Sequence, residues 1–204
     1  MNKIIDEWSQ FDPRLEKVFM DKGYQYISAG SDQQVWMDPK QDKVLKVFGS
    51  KMALGPNELS KDQKMALLWC KFCHKNSDNP FLPKFYGIKR FVFNAHPYLL
   101  IEQETLSEID KTVGFSMTKY ANVCSDADVT SPLAAYYRYI DENAHYSGEL
   151  NKVIGIEGMK ELGATLFALY HMGKDHGWMW DMHQYNFMVR QNSFPVIIDP
   201  WCLE

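Results

Sequence analysis

The spacing of apolar residues changes character twice along the chain. Ile4, Ile5, Trp8, Phe11, Leu15, Val18 and Phe19 recur at helical intervals. Pro13, directly after Asp12, suits the first turn of a helix, and Gly23 suits its end. From Tyr24 the period shortens. Tyr24, Tyr26, Val35 and Trp36 lie in short β-prone runs, and Lys43-Val44-Leu45-Lys46-Val47-Phe48 reads as a strand. Gly30-Ser31-Asp32 and Asp38-Pro39-Lys40 supply turn signals between them, so residues 24–48 are expected to form a three-stranded antiparallel meander. Ser60 is placed to cap a helix running to Lys75, with Met65, Leu68, Trp69 and Phe72 as its apolar face. Asn76-Ser77-Asp78-Asn79-Pro80 breaks that helix, and strands are expected around Lys84–Phe93 and Tyr98–Gln103.

The second half reads helical. One helix is expected over Pro132–Tyr146 and a stronger one over Ile156–Met172, ending near Gly173. The second carries Met159, Leu162, Leu166, Leu169 and Tyr170 on one side. Phe187-Met188-Val189 and Val196-Ile197-Ile198 read as a terminal hairpin around Gln191-Asn192-Ser193. The pattern predicts an α+β fold in two lobes, a sheet-rich one over residues 1–104 and a helical one over 105–204.

Composition narrows the setting. At 204 residues and 46% hydrophobic, the chain can bury a core without disulfide staples, so Cys70, Cys73, Cys124 and Cys202 do not imply a disulfide framework. A net charge of −4 argues against a general nucleic-acid coat, although a local basic patch remains compatible with it. No run of 18 apolar residues exists and Met1–Glu16 mixes acids with bases, so neither a membrane span nor a signal peptide is expected. The expected setting is a reducing cytoplasm with no membrane partner.

The densest polar stretch is His176-Gly177-Trp178-Met179-Trp180-Asp181-Met182-His183-Gln184-Tyr185-Asn186. Asp199 follows thirteen residues after Asn186, at the end of Val196-Ile197-Ile198. A carboxylate ending a buried strand is costly without a cation or donors beside it. Asn186 and Asp199 flank the hairpin, and two such oxygens suit Mg²⁺. Asp181, on the loop after the long helix, is placed to accept a proton from an attacking hydroxyl.

The spacing Asp181-x4-Asn186 followed by Asp199 resembles the catalytic loop and metal-binding aspartate of protein kinases and their relatives. His183, two residues after the aspartate, is similar to the aminoglycoside-phosphotransferase branch. Leu169-Tyr170-His171-Met172-Gly173 resembles the helix end before that loop. Ile27-Ser28-Ala29-Gly30-Ser31 with Val35 resembles a degenerate glycine-rich loop, and Val44-Leu45-Lys46 the strand bearing the phosphate-binding lysine. Pro80-Phe81-Leu82-Pro83 sits where the loop after the regulatory helix falls, and Leu99-Leu100-Ile101-Glu102 resembles the strand leading to the adenine-holding hinge.

The resemblance implies a two-lobed kinase-like fold with a minimal helical C-lobe, using ATP and Mg²⁺. Gly30, Ser31 and Val35 would line the nucleotide, and Lys46 would contact its α- and β-phosphates. Glu102 and Gln103 would offer backbone groups to adenine. Asp181 would be the catalytic base or hydroxyl-orienting group, His183 a second catalytic residue, and Asn186 and Asp199 the Mg²⁺ ligands. Glu58 is the carboxylate with best reach to Lys46, although it precedes the helix.

The sequence also departs from the family pattern. Ser28 and Gln33 replace two glycines, Met179-Trp180 precedes the aspartate, and Pro200-Trp201 follows Asp199. The chain stops five residues after Asp199, so the platform for a hydroxyl substrate is expected from residues 104–155, another copy or a protein partner.

The same fold without turnover, a pseudokinase serving as a nucleotide-binding or interaction module, is the alternative. A metal-dependent hydrolase built on His171, Asp175, His176, Asp181 and His183 is a third reading. Cys70-Lys71-Phe72-Cys73-His74 matches a haem-attachment pattern, but within an amphipathic helix it reads better as a core cysteine pair. Trp178, Trp180 and Trp201 read as packing around the loop.

Overall fold

In the computed structural model, residues 12–29, 33–49, 58–190 and 194–203 are described. The chain divides into two compact units, Met1–Lys75 with Lys84–Thr105, and Asn76–Pro83 with Leu106–Glu204.

The first unit is built on an antiparallel sheet of β1 (Gln25–Ala29), β2 (Gln33–Asp38), β3 (Lys43–Phe48), β4 (Phe85–Phe93) and β5 (His96–Glu104), in the order β1-β2-β3-β5-β4. The expected meander is its first half. Each face of the sheet carries a helix. Helix α1 (Pro13–Asp21) is capped by the Asp12 carboxylate, which accepts from the Arg14 N–H, and buries Leu15 and Phe19 against Trp36, Leu45, Val47 and Tyr98. Helix α2 (Lys61–Lys75) covers Leu99 and Ile101, which alternate with the α1-facing positions, using Ala66 and Cys70.

The buried side of α2 differs from the expected one. It consists of Gln63, Ala66, Trp69, Cys70 and Cys73, while Met65, Leu68 and Phe72 are only half-buried. Small residues let the helix lie close to the sheet. Gln63 is tied down at three points: its amide nitrogen donates to the Phe48 and Pro97 carbonyls, and its oxygen accepts from the Ser60 N–H. Ser60 Oγ accepts from the Gln63 N–H in return, a reciprocal capping box that overrides the apolar periodicity.

The second unit is helical, with short strands. Helix α3 (Lys111–Cys124) does not figure in the periodicity, because its buried side includes Gly114 and Ser116 beside Met117, Tyr120 and Cys124. The expected Pro132–Tyr146 helix is α4 (Pro132–Glu142). It stops where Asn143 leaves helical geometry, and α5 (Ala144–Asp175) begins there, well before Ile156. Gly155, at φ +69°, breaks α5 without ending it, a backbone setting that side chains rarely adopt. Tyr120 of α3 stacks on Tyr139 of α4 at 4.3 Å and abuts Gly163 of α5.

Strands β6 (Ser107–Glu108), β8 (Phe187–Arg190) and β9 (Phe194–Ile197) form one small sheet, and β7 (Met179–Trp180) pairs with β10 (Trp201–Cys202) in another. Residues 76–83, which follow α2, group with this unit for identifiable reasons. Ile197 N–H donates to the Phe81 carbonyl, the Arg190 guanidinium to those of Pro80 and Leu82, and Asn79 to Thr165 Oγ1. The whole is a mixed α+β fold, consistent with the kinase-like class expected.

Candidate functional site

The expected site residues fall in both units, and each group is described by itself. In the first unit, Lys46 on β3 is buried between its cross-strand neighbours Val35 and Ile101. It shares the α2-covered side with two thiols. Burial pushes Cys70 up to about 12 and Cys73 higher still, while the Lys46 charge pulls both the other way. They are a core pair, as the sequence reading preferred. Glu58 is exposed ahead of α2, and its carbonyl accepts from the Arg90 guanidinium at 3.3 Å.

Glu102 and Gln103 each have a strand partner on both sides, Leu45 and Gly87 for one, Val44 and Phe85 for the other. Their main-chain groups therefore belong to the ladder. The Glu102 carboxylate pairs with Lys43 at 3.5 Å, while the buried side-chain amide oxygen of Gln103, Oε1, has no partner among the described residues. Gly30 and Ser31 lie outside the described residues.

In the second unit, the loop after α5 gathers four expected residues. Trp180 pairs with Trp201 across β7 and β10, and the next residue, Asp181, donates its N–H to the Pro200 carbonyl at 3.1 Å. His183 begins a single 3₁₀ turn, Gln184–Asn186, with Nδ1 accepting from the Tyr185 N–H. Asn186 is buried. Its side-chain nitrogen donates to the Asp181 carbonyl, its N–H to that of His183, and its own carbonyl accepts from Ile198 N–H at 3.0 Å.

Asp181, Asn186 and Asp199 are thus stitched by backbone bonds at the root of the β8–β9 hairpin. Asp199 sits between Ile198 and Pro200, the two residues that hold Asn186 and Asp181. The Cys202 thiol is raised first by burial and then by the charges of both Asp181 and Asp199, so the two carboxylates share one neighbourhood. His183 Nε2 lies 3.7 Å from an Asp181 oxygen, with both side chains partly open to solvent.

Sequence reasoning did not single out Cys202 or Tyr185. Tyr185 stands 74% exposed inside this loop, and only its place between Asp181 and Asn186 pointed to it. Among the described residues no group of three His, Cys or carboxylate side chains converges to hold a metal, which leaves the hydrolase reading without a centre. Trp201 is buried, with Nε1 donating to the Leu169 carbonyl at 3.0 Å, so it packs the loop against α5. No helix among the described residues is long and apolar enough to cross a membrane.

No family model matches the chain, and no curated protein matches it. Among solved structures it is similar to the ternary complex of streptomycin, ATP and the aminoglycoside phosphotransferase APH(2")-IIa. The identity is 11%, over 95% of this chain and 73% of that one, with a TM-score of 0.31.

Proposed function

We propose that the chain is a kinase-like phosphotransferase that binds ATP with Mg²⁺ and transfers the γ-phosphate to a hydroxyl of a small molecule or protein. The observation supporting this is the stitched arrangement of Asp181, Asn186 and Asp199. Asp181, open to solvent, accepts the proton of the attacking hydroxyl, and His183 beside it helps to orient the acceptor. Because Asn186 spends its amide nitrogen on the Asp181 carbonyl, its oxygen is left to accept. With the Asp199 carboxylate it makes a hard oxygen donor set of the kind that suits Mg²⁺. When bound, the ion offsets phosphate charge. Lys46 holds the α- and β-phosphates.

The pseudokinase alternative draws on the departures from the family pattern, Met179-Trp180 before Asp181 and Pro200-Trp201 after Asp199. Melting temperature with and without ATP–Mg²⁺, followed by ATP hydrolysis and autophosphorylation, separates the two readings. Wild type is expected to be stabilised by the nucleotide and to turn it over. Asp181→Ala should keep the stabilisation and lose turnover by at least about 10²-fold, while Asp199→Ala should lose the Mg²⁺-dependent part of the stabilisation. Stabilisation without phosphate transfer to any candidate acceptor means a pseudokinase. No stabilisation at all defeats both readings.

A further inference from the structure

Behind the Asp181 loop, wholly within the second unit, lies a cavity of about 270 Å³. Its walls are the rings of Tyr170, Trp178, Trp180 and Trp201. Two glycines keep it open. At Gly173 a Cβ would sit 2.5 Å from Trp201 Nε1, and Gly177 turns the chain out of α5 at φ +69°. The β7–β10 ladder then sets Trp180 directly opposite Trp201.

The polar groups around the cavity decide what it suits. A helix C-terminus ordinarily attracts cations, but here the last carbonyls of α5 are engaged. Met172 and Gly173 accept from His176 N–H, Gly173 also from Trp178 N–H, and Lys174 from Gly177 N–H. Trp201 Nε1 is committed to the Leu169 carbonyl. What remains is a cation. Lys174 is the one charged residue lining the cavity among the described residues. Flat aromatic walls favour a planar ring, and the ammonium favours an anionic substituent.

We infer that this cavity is a binding site for a planar aromatic acid, one or two fused rings bearing a carboxylate. The inference does not rest on phosphotransfer. It does place the ligand against Trp180 and Trp201, the neighbours of Asp181 and Asp199, so occupancy is felt at that loop.

Three probes with one ring system test it: 2-naphthoate, 2-naphthalenemethanol and 2-naphthylmethylamine, titrated into the ¹⁵N-labelled full chain. Calorimetry gives affinities, and the tryptophan Nε1–H resonances report contact, with Trp180 assigned from Trp180→Phe. The naphthoate is expected to bind about tenfold tighter than the amine, the size of one partly exposed charge pair made attractive in one probe and repulsive in the other. It should shift the Trp180 resonance.

Lys174→Glu, at an exposed position, should reverse the order of the two probes. Trp180→Phe, which keeps a ring in the wall, should leave the order of the probes unchanged. If the Trp178, Trp180 and Trp201 resonances all stay still at millimolar naphthoate, the site does not exist. If the amine binds tightest to wild type, or Lys174→Glu leaves the order unchanged, the anionic assignment is wrong.

Discussion

Gly173→Ala should be costly although the position is helical and alanine is the better helix former. The added Cβ would stand 2.5 Å from Trp201 Nε1 and 2.6 Å from its Cδ1, with the indole 3% exposed and unable to swing into solvent. Overpacking of this kind costs about 1–3 kcal/mol. The indole can move only by giving up its bond to the Leu169 carbonyl, which strands a buried donor at about 1–3 kcal/mol. Helix propensity returns about 1 kcal/mol. The net expectation is a loss of about 1–5 kcal/mol. Urea unfolding followed by tryptophan fluorescence reads it, with Gly148→Ala as the internal reference. Gly148 lies in the same helix, exposed, with nothing within 4 Å of its would-be Cβ, so alanine there should stabilise by about 0.5–1 kcal/mol. Opposite signs at two glycines of one helix are the signature. If Gly173→Ala is as stable as Gly148→Ala, Trp201 is not what fixes the loop to α5. The shift should also reach the site, because Pro200, next to Trp201, accepts from the Asp181 N–H.

Gln63→Ala should cost about 2–3 kcal/mol in the same assay, since it removes a capping box and leaves the Phe48 and Pro97 carbonyls short of a donor. A loss below about 0.5 kcal/mol would mean that α2 is held by its apolar contacts alone. In the native protein at pH 8 a colorimetric disulfide reagent should find one slow thiol, Cys202, with Cys70, Cys73 and Cys124 appearing only in denaturant, because burial raises all three; a second fast thiol would contradict that burial. Asp12 is held well below the usual carboxylate range, first by the Arg14 side chain, then by its N–H, with Asn94 adding to it. Its folded value lies below the unfolded one, so its contribution is present above about pH 4 and fades as pH falls below that. The melting-temperature gap between wild type and Asp12→Asn should therefore narrow on acidification from pH 5 to pH 2, and a gap constant over that range would be evidence against the pairing.

What the sequence made legible here is local, and what it hid depends on partners far along the chain. Asp181, Asn186 and Asp199 could be placed from spacing because a loop, a turn and a hairpin bring them together without distant help. The sheet could be read because alternation and turn residues agree over residues 24–48. Helix α3 could not, since a side built on Gly114 and Ser116 carries no apolar stripe, and its burial is set by Tyr139, whose hydroxyl donates to the Ser116 carbonyl. Nor could the buried side of α2, where an amide outweighs Met65, Leu68 and Phe72 through three hydrogen bonds. Residues 76–83 follow α2 in sequence yet belong with Arg190 and Ile197, a link made by carbonyls that any sequence possesses.

The same distinction bears on function. The acid, the amide and the second acid of the Asp181 loop come from one local stretch, residues 181–200, and the bonds that join them are made within it. Lys46 stands on a different footing. It lies in the first unit, on the α2-covered side of the sheet, where its charge is felt by the Cys70 and Cys73 thiols. The proposed phosphate contact and the proposed chemistry of the Asp181 loop are therefore separable by substitution. Lys46→Met should lower the stabilisation by ATP with or without Mg²⁺, whereas Asp199→Ala should lower only the Mg²⁺-dependent part.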